Sequence, residues 1–304
     1  MIDLKRNSKK IPIEATGLRS RKSSLYEPNQ KEDFKISRGR FSNFLTCQRC
    51  FYLDRVRGLD PPGTPGWTLN ETTDLLLKKE FDYCRQKQIP HRIFASNGLS
   101  HVVPFDHPEI DNWRNSLNRG LMHRYKDTGI ILTGGVDDIW QDTITEQLII
   151  VDYKSQAKNG RVDKKDYLDD PFHEAYKIQM DFYAYLLSGM GFSVHPTSYF
   201  LVCNAKRDED EFNKTMRFDE YLVPYKWSND GIQSRPDEIV TLNESIRESR
   251  IKSFMQELRL CRSIFENTIF RKFKLKRNYT RKFAIILRTL IVLKMILIKK
   301  RLKD

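Results

Sequence analysis

The sequence is poor in cysteine and lacks the dense cysteine spacing that marks a disulfide-stabilised domain. Its five cysteines are Cys47, Cys50, Cys84, Cys203 and Cys261. Zinc sites are commonly built from two ligand pairs, whereas this chain has one C-x-x-C, formed by Cys47 and Cys50. We therefore expect these two residues to be buried in a helix and the chain to work in a reducing cytoplasm.

The sequence also lacks an apolar run that would form a standard transmembrane helix. Its most apolar stretch, residues 283–298, is shorter than the roughly 20 residues that a span needs and is interrupted by Arg288 and Lys294. The basic start of the chain is followed by no apolar core of the kind found in a secretory signal. Three hypotheses remain open for 283–298: a basic helix on a membrane surface, a core-packing helix, or a non-native C-terminus.

Positive charge is abundant, with a formal net charge of +13, but it is unevenly placed. The excess lies in residues 1–40 and 266–304, and the chain between them carries slightly more acidic than basic side chains. A basic surface favours binding to phosphates, yet this distribution says little about the middle of the chain. We predict a mobile basic arm over residues 1–35, a folded domain over 36–265 and a basic, apolar tail over 266–304.

The domain combines helical and strand patterns of apolar residues. We predict helices over about 37–58, 71–88, 109–124, 173–191 and 236–267, and strands over 131–140, 146–154, 197–205 and 215–225. In the second helix, the residues expected to face inward are Leu75, Leu76, Phe81 and Cys84. This order of elements predicts an α/β fold with a central mixed sheet of about four strands flanked by helices.

The segments G-G-V-D-D-I-W and I-I-V-D-Y-K-S hold the most informative side chains. Alternation along the second strand puts Asp152 and Lys154 on one face and Tyr153 on the other. A hairpin whose turn is centred between residues 144 and 145 sets Asp137 directly opposite Asp152. Two carboxylates and an ammonium group would then meet on a rigid sheet.

Such a group of side chains has the chemistry for phosphodiester hydrolysis. Two carboxylates across a short gap repel each other unless a cation lies between them, and oxygen ligands suit Mg²⁺ or Mn²⁺. A nearby lysine can position or activate the attacking water. Two alternatives stay open: Asp138 could be the ligand in place of Asp137, and Asp152 and Lys154 could form an ordinary surface ion pair.

These residues resemble the signature of the PD-(D/E)XK nuclease superfamily in its D-x-K form, and in particular its RecB-like and CRISPR-associated exonuclease branch. In that branch a later helix carries a Gln-x-x-x-Tyr motif, and the run KIQMDFYAYLL supplies Gln179 and Tyr183. The similarity extends over roughly residues 36–230. It implies a restriction-endonuclease-like core, a role for Gln179 in orienting the lysine or the substrate, and a position for Tyr183 in the lining of the site. We also expect the Tyr153 backbone carbonyl to add a metal ligand.

The sequence departs from the branch at two sites. Many relatives carry a metal-binding histidine on the helix before the first strand, which this helix lacks; Asp74 lies near that position, and Glu80 is a second possibility. Some relatives bind an iron–sulfur cluster through one early and three late cysteines. Only Cys261 lies late in this chain, so we expect no cluster.

The resemblance implies metal-dependent hydrolysis of DNA, with an exonuclease mode of action and a role in repair, recombination or defence against foreign DNA. We expect Asp137 and Asp152 to bind Mg²⁺ or Mn²⁺. One competing hypothesis is a non-catalytic nucleic-acid-binding protein that retains the fold. Another is a membrane-surface protein held by its tail.

Overall fold

The computed structural model describes residues 6–7, 9–13, 16–19, 21–27, 30–61, 68–126, 128–233 and 235–244. The tail at 266–304, its apolar stretch at 283–298 and most of the helix expected over 236–267 lie outside the described residues. The chain divides into two compact units, one made of residues 1–19, 59–65 and 247–304 and the other of 20–58 and 66–246. The second unit contains both sheets. The division into arm, domain and tail remains a prediction.

The described elements include both helices and strands. The helices are α1 Arg38–Thr46, α2 Gln48–Arg55, α3 Thr68–Lys87, α4 Arg92–Ala95, α5 Ile110–Trp113, α6 Lys164–Asp169, α7 Glu174–Gly189, α8 Asp230–Gln233 and α9 Arg235–Glu244. The strands are β1 Phe34–Ser37, β2 Val102–Pro104, β3 Leu121–Arg124, β4 Ile130–Gly134, β5 Asp138–Asp142, β6 Leu148–Gln156, β7 Thr197–Ala205 and β8 Phe218–Lys226. No helix among these is both long and apolar enough to span a membrane.

The strands form two sheets. The larger has the order β2-β5-β6-β7-β8, with β6 and β7 parallel and the other neighbours antiparallel. The smaller has the order β1-β4-β3, with β1 and β4 parallel. The prediction of a mixed sheet flanked by helices is confirmed, although the larger sheet has five strands where about four were expected.

Strand β6 forms the centre of the core because both of its faces are covered. Leu148 and Ile150 belong to one apolar cluster with residues of α7, and Ile149 and Val151 belong to another with residues of α3. Full burial of each such aliphatic side chain contributes about 1.5–3 kcal/mol. The face that carries positions 148 and 150 also carries positions 152 and 154. The strand therefore holds the candidate site residues firmly against α7.

The prediction of one strand over residues 131–140 is wrong. The chain leaves the smaller sheet at Gly134 and enters the larger sheet at Asp138. A β-carbon on Gly134 would lie 2.7 Å from ring atom Cε1 of Tyr183, and one on Gly135 would lie 2.6 Å from Cα of Ser116. The two glycines thus permit close packing within the chain at the bend that leads to Asp137.

The helix predicted over 37–58 is two helices. Residue Cys47 separates them with an extended backbone (φ −159°, ψ 91°), and its Sγ accepts a hydrogen bond from the Cys50 backbone N–H at 3.1 Å. Cys47 and Cys50 form a disulfide, and Cys50 is exposed. The expectation of two buried helix cysteines is therefore wrong.

Two further predictions about helices are also wrong. The helix expected over 109–124 ends at Trp113, and β3 occupies the last part of that range. In α3, Leu75 and Leu76 are each 53% exposed, and Leu77 faces the core instead. Phe81 and Cys84 are buried, as predicted.

Candidate active site

The β5–β6 hairpin has the register that its turn predicted. Asp138 pairs with Val151 and Ile139 with Ile150, so the next position brings Asp137 opposite Asp152. Asp137 lies in the bend just before β5, and its Oδ2 accepts a hydrogen bond from the backbone N–H of Tyr153 at 2.9 Å. This bond fixes the Asp137 carboxylate beside the strand that carries the second acid.

The side chain of Asp152 joins most of the candidate residues. It is fully buried, and its Oδ1 accepts a hydrogen bond from Gln179 Nε2 at 2.5 Å. Its Oδ2 forms an ion pair with the ammonium group of Lys154. Gln179 Nε2 also donates to the Tyr183 hydroxyl at 3.2 Å. The structure thus brings together the five residues predicted to be catalytic, although their roles stay predictions.

Burial and mutual repulsion control the charges at this point. Burial raises the pKa of Asp137 to about 7, and the carboxylate of Asp152 adds to the rise, while Lys154 and Lys78 oppose it. Burial disfavours the charged form of Lys154, but the neighbouring Asp152 and Asp137 outweigh it and raise the pKa of the lysine. The ammonium of Lys154 therefore stays protonated at neutral pH. A further positive charge near Asp137 and Asp152 would stabilise their ionised forms.

A third carboxylate approaches from α3. Asp74 Oδ2 pairs with Lys78 Nζ at 2.8 Å, one helical turn along. Burial, followed by the charge of Asp137, raises the pKa of Asp74, so the two acids interact. Glu80 behaves differently, because its carboxylate contacts His91 at 3.1 Å and Arg92 at 3.1 Å. The structure thus places Asp74 beside the site and engages Glu80 in other contacts.

The donor set fits a divalent cation in kind. Asp74 Oδ1 is a buried oxygen without a hydrogen-bond partner, and Asp152 Oδ2 has the Lys154 ammonium beside it. Carboxylate oxygens are the ligands that Mg²⁺ and Mn²⁺ take. In the part of the chain that the structure describes, no three or more His, Cys, Asp or Glu side chains are grouped so that they could hold a metal ion. The Lys154 and Lys78 ammonium groups pair with Asp152 and Asp74 instead.

Comparison with protein-family models gives one match. The model described as the PD-(D/E)XK nuclease superfamily matches residues 67–268, which is more than half of the chain. The chain belongs to the PD-(D/E)XK nuclease superfamily. Comparisons with curated proteins and with solved structures found no match. The matched segment includes Asp74, Asp137, Asp152, Lys154 and Gln179.

The neighbouring acid, Asp138, has a different environment in this member of the superfamily. It is fully buried, forms an ion pair with Arg85, and accepts a hydrogen bond from the Tyr153 hydroxyl at 2.9 Å. Burial raises its pKa, and Arg85 and Arg114 oppose the rise. The partners of Asp138 are therefore different from those of Asp152. This difference favours Asp137 over Asp138 as the second acid of the candidate site. Sequence reasoning missed Arg85, because its partner lies on another element.

Two further residues complete the surroundings of the nuclease motif. Arg38, at the start of α1, donates a hydrogen bond to the Tyr183 hydroxyl; burial raises the pKa of that tyrosine and Arg38 lowers it. The Lys154 ammonium lies 4.5 Å from the centroid of the Tyr176 ring, a cation–π distance. Tyr176 precedes Gln179 by three positions on α7, so helical spacing was the one sequence signal that pointed to it.

Proposed function

We propose that the chain hydrolyses phosphodiester bonds in DNA with the help of Mg²⁺ or Mn²⁺. The observation that carries the proposal is the convergence of Asp137, Asp152, Lys154 and Gln179 beside the middle of β6. Membership of the superfamily indicates a nuclease. DNA as the substrate, removal of nucleotides from an end, and a role in repair, recombination or defence are parts of the proposal that rest on the sequence resemblance. Work in the cytoplasm is a part that rests on the small number of cysteines.

Asp137 and Asp152 would hold the cation, with Asp74 and the Tyr153 carbonyl as further candidate ligands. When bound, the ion supplies a Lewis acid that polarises the phosphoryl group and lowers the pKa of a water. It would also relieve the repulsion that raises the pKa of Asp137. We expect no iron–sulfur cluster.

The protein side chains divide the remaining work. Lys154 would position or activate the attacking water and balance charge on the phosphate. Gln179 would hold Asp152 in one orientation through its 2.5 Å hydrogen bond. Tyr183 would keep the Gln179 amide in place through the second N–H. Because Lys154 lies on β6 and Gln179 and Tyr183 lie on α7, the secondary structure fixes their positions before substrate binds.

A cleavage assay tests the proposal. Single-stranded and duplex DNA, labelled at either end, would be incubated with Mg²⁺, Mn²⁺ or EDTA. We expect cleavage with either metal, none with EDTA, and a loss of about 100-fold or more in Lys154→Ala. Lys126→Ala is the matched control, because Lys126 is an exposed lysine that pairs with Asp237 on the surface at 2.8 Å.

The products separate the competing hypotheses. Release of mononucleotides or short fragments from one labelled end would support the exonuclease mode. Binding of DNA without cleavage under any metal condition would favour a non-catalytic protein that retains the fold. Binding to lipid vesicles that is lost when residues 270–304 are removed would favour the membrane-surface hypothesis.

A further inference from the structure

The aromatic ring of Phe172 is presented to solvent on a well-held turn. Phe172 is 88% exposed and lies in the 3₁₀ turn Pro171–His173. Asp170 Oδ1 accepts a hydrogen bond from the Phe172 backbone N–H at 3.0 Å, and Asp170 Oδ2 pairs with Lys158 Nζ at 2.9 Å. The backbone that presents the ring is therefore held by the Asp170 side chain, which caps the start of the turn.

A series of aromatic contacts connects this turn with the candidate active site. His173, the next residue, is buried; its Nδ1 lies 2.7 Å from the Tyr167 carbonyl oxygen, and its ring stacks on Tyr176 with centroids 5.0 Å apart. The Lys154 ammonium in turn lies 4.5 Å from the centroid of the Tyr176 ring. His173 is therefore linked through Tyr176 to the lysine of the D-x-K motif, and Phe172 is its neighbour in the chain.

An exposed phenylalanine at this position could contact the nucleic-acid substrate of a nuclease. A flat aromatic side chain can stack on a nucleobase, and every base offers such a face. Bases inside a duplex are stacked on both sides, so the ring could pack only against an unpaired base. Lys164 and Lys165, both exposed on α6 just before the turn, would contact the phosphates on either side of that base. Asp163, Asp166 and Asp169 of the same segment carry the opposite charge, so the stacking contact would supply most of the affinity.

We propose that Phe172 forms a base-stacking subsite for an unpaired nucleobase of the substrate strand next to the scissile phosphate. This inference rests on the proposed function, and it adds that the favoured substrate is a single strand or an unpaired end. The ring supplies the contact to the base, and Lys154 and the carboxylates act on the neighbouring phosphodiester.

Equilibrium binding in EDTA tests the subsite without cleavage. Fluorescence anisotropy would measure the Kd of the full chain for a labelled single-stranded oligonucleotide and for a duplex closed at both ends by non-nucleotide linkers, which has no unpaired base. We expect Phe172→Ala to weaken single-strand binding about 5- to 150-fold and to leave closed-duplex binding within about twofold. Phe172→Trp should bind the single strand at least as well as the wild type.

Tyr83→Ala provides the matched control. Tyr83 is an aromatic residue that is 59% exposed on α3, and it lies nine residues after Asp74 and so on the opposite side of that helix. Its removal should leave the Kd unchanged. An oligonucleotide with one abasic position, moved along the strand, should reproduce the loss at one position and remove the difference between the wild type and Phe172→Ala there.

The inference would be overturned if Phe172→Ala bound the single strand as the wild type does. It would also be overturned if the variant lost affinity equally for both DNAs, or if Phe172→Trp failed to retain binding. Failure of the proposed function gives a different result, because the wild type would then cut no DNA while single-strand binding still depended on Phe172. Normal cleavage together with unchanged binding in Phe172→Ala would reject the subsite alone.

Discussion

The amide of Gln179 donates a hydrogen bond to the carboxylate of Asp152 at 2.5 Å and thereby ties helix α7 to strand β6. The contact joins residues far apart in the chain, and the same amide also donates to Tyr183. Asp152 is fully buried, so its orientation depends on the few groups that touch it. A residue that positions another should affect the reaction without contacting the substrate.

Gln179→Ala should lower the cleavage rate about 10- to 100-fold, because Asp152 loses the donor that orients it. Gln179→Glu should be more harmful, since a second carboxylate would lie against a buried one. Steady-state cleavage with a labelled oligonucleotide provides the measurement. Gln141→Ala is the control, because that amide lies on β5, away from Asp152, and donates a hydrogen bond to the Glu146 carbonyl at 3.5 Å. A wild-type rate in Gln179→Ala would remove the positioning role.

Asp137→Asn should stabilise the metal-free protein at pH 8 while abolishing cleavage. The pKa of Asp137 is raised to about 7, so its ionisation costs stability as the pH rises from about 3.8 to 7. Asparagine removes that cost, which is on the order of a few kcal/mol, and still accepts the hydrogen bond from Tyr153. Thermal unfolding in EDTA should show a higher Tm at pH 8 and a smaller gain at pH 5.

Mg²⁺ or Mn²⁺ should have the complementary effect on the wild type. Either ion should raise the Tm more at pH 8 than at pH 5, because protons and the cation compete for the same carboxylates. The gain should disappear in Asp137→Asn. An equal rise in Tm in the variant would show that the ion binds elsewhere.

Arg85→Met should destabilise the protein by about 3–5 kcal/mol, because it leaves the fully buried carboxylate of Asp138 without its cation. Chemical denaturation followed by circular dichroism would measure the change. Arg92→Met is the matched control, since Arg92 pairs with Glu220 on the surface and such pairs contribute about 0–1 kcal/mol. Similar small effects in both variants would contradict the role of Asp138 as a structural acid.

Gly134→Ala should destabilise the protein by about 1–3 kcal/mol and shift Tyr183, because the added carbon would lie 2.7 Å from the tyrosine ring. Gly39→Ala should do the opposite. Gly39 lies in α1 with nothing within 4 Å of its added carbon, so alanine should stabilise that helix by up to about 1 kcal/mol. Paired Tm measurements test the two predictions, and a neutral Gly134→Ala would show that the ring can move without cost.

Local sequence patterns were sufficient to predict several features of the site. Alternation along β6 predicts that Asp152 and Lys154 share a face, and the length of the hairpin predicts the register that brings Asp137 opposite Asp152. Helical spacing predicts that Gln179 and Tyr183 lie together on α7. These predictions hold because each depends on the geometry of a single element or of one short turn.

Other features depended on contacts between distant parts of the chain. The sequence from 131 to 140 has the composition of one strand, but the approach of Tyr183 to Gly134 belongs to a bend between two sheets. The apolar pattern of α3 predicted that Leu75 and Leu76 face inward, whereas packing against the sheet buries Leu77.

The sequence by itself determined the type of fold and the order of the candidate catalytic residues. Only the tertiary structure decided that Asp74 lies beside Asp137, that Arg85 neutralises Asp138, and that the ring of Phe172 faces solvent. The physical reason is one of range. Backbone preferences and side-chain periodicity act over a few residues, whereas the burial of a charge and its choice of partner are set when separate elements pack together.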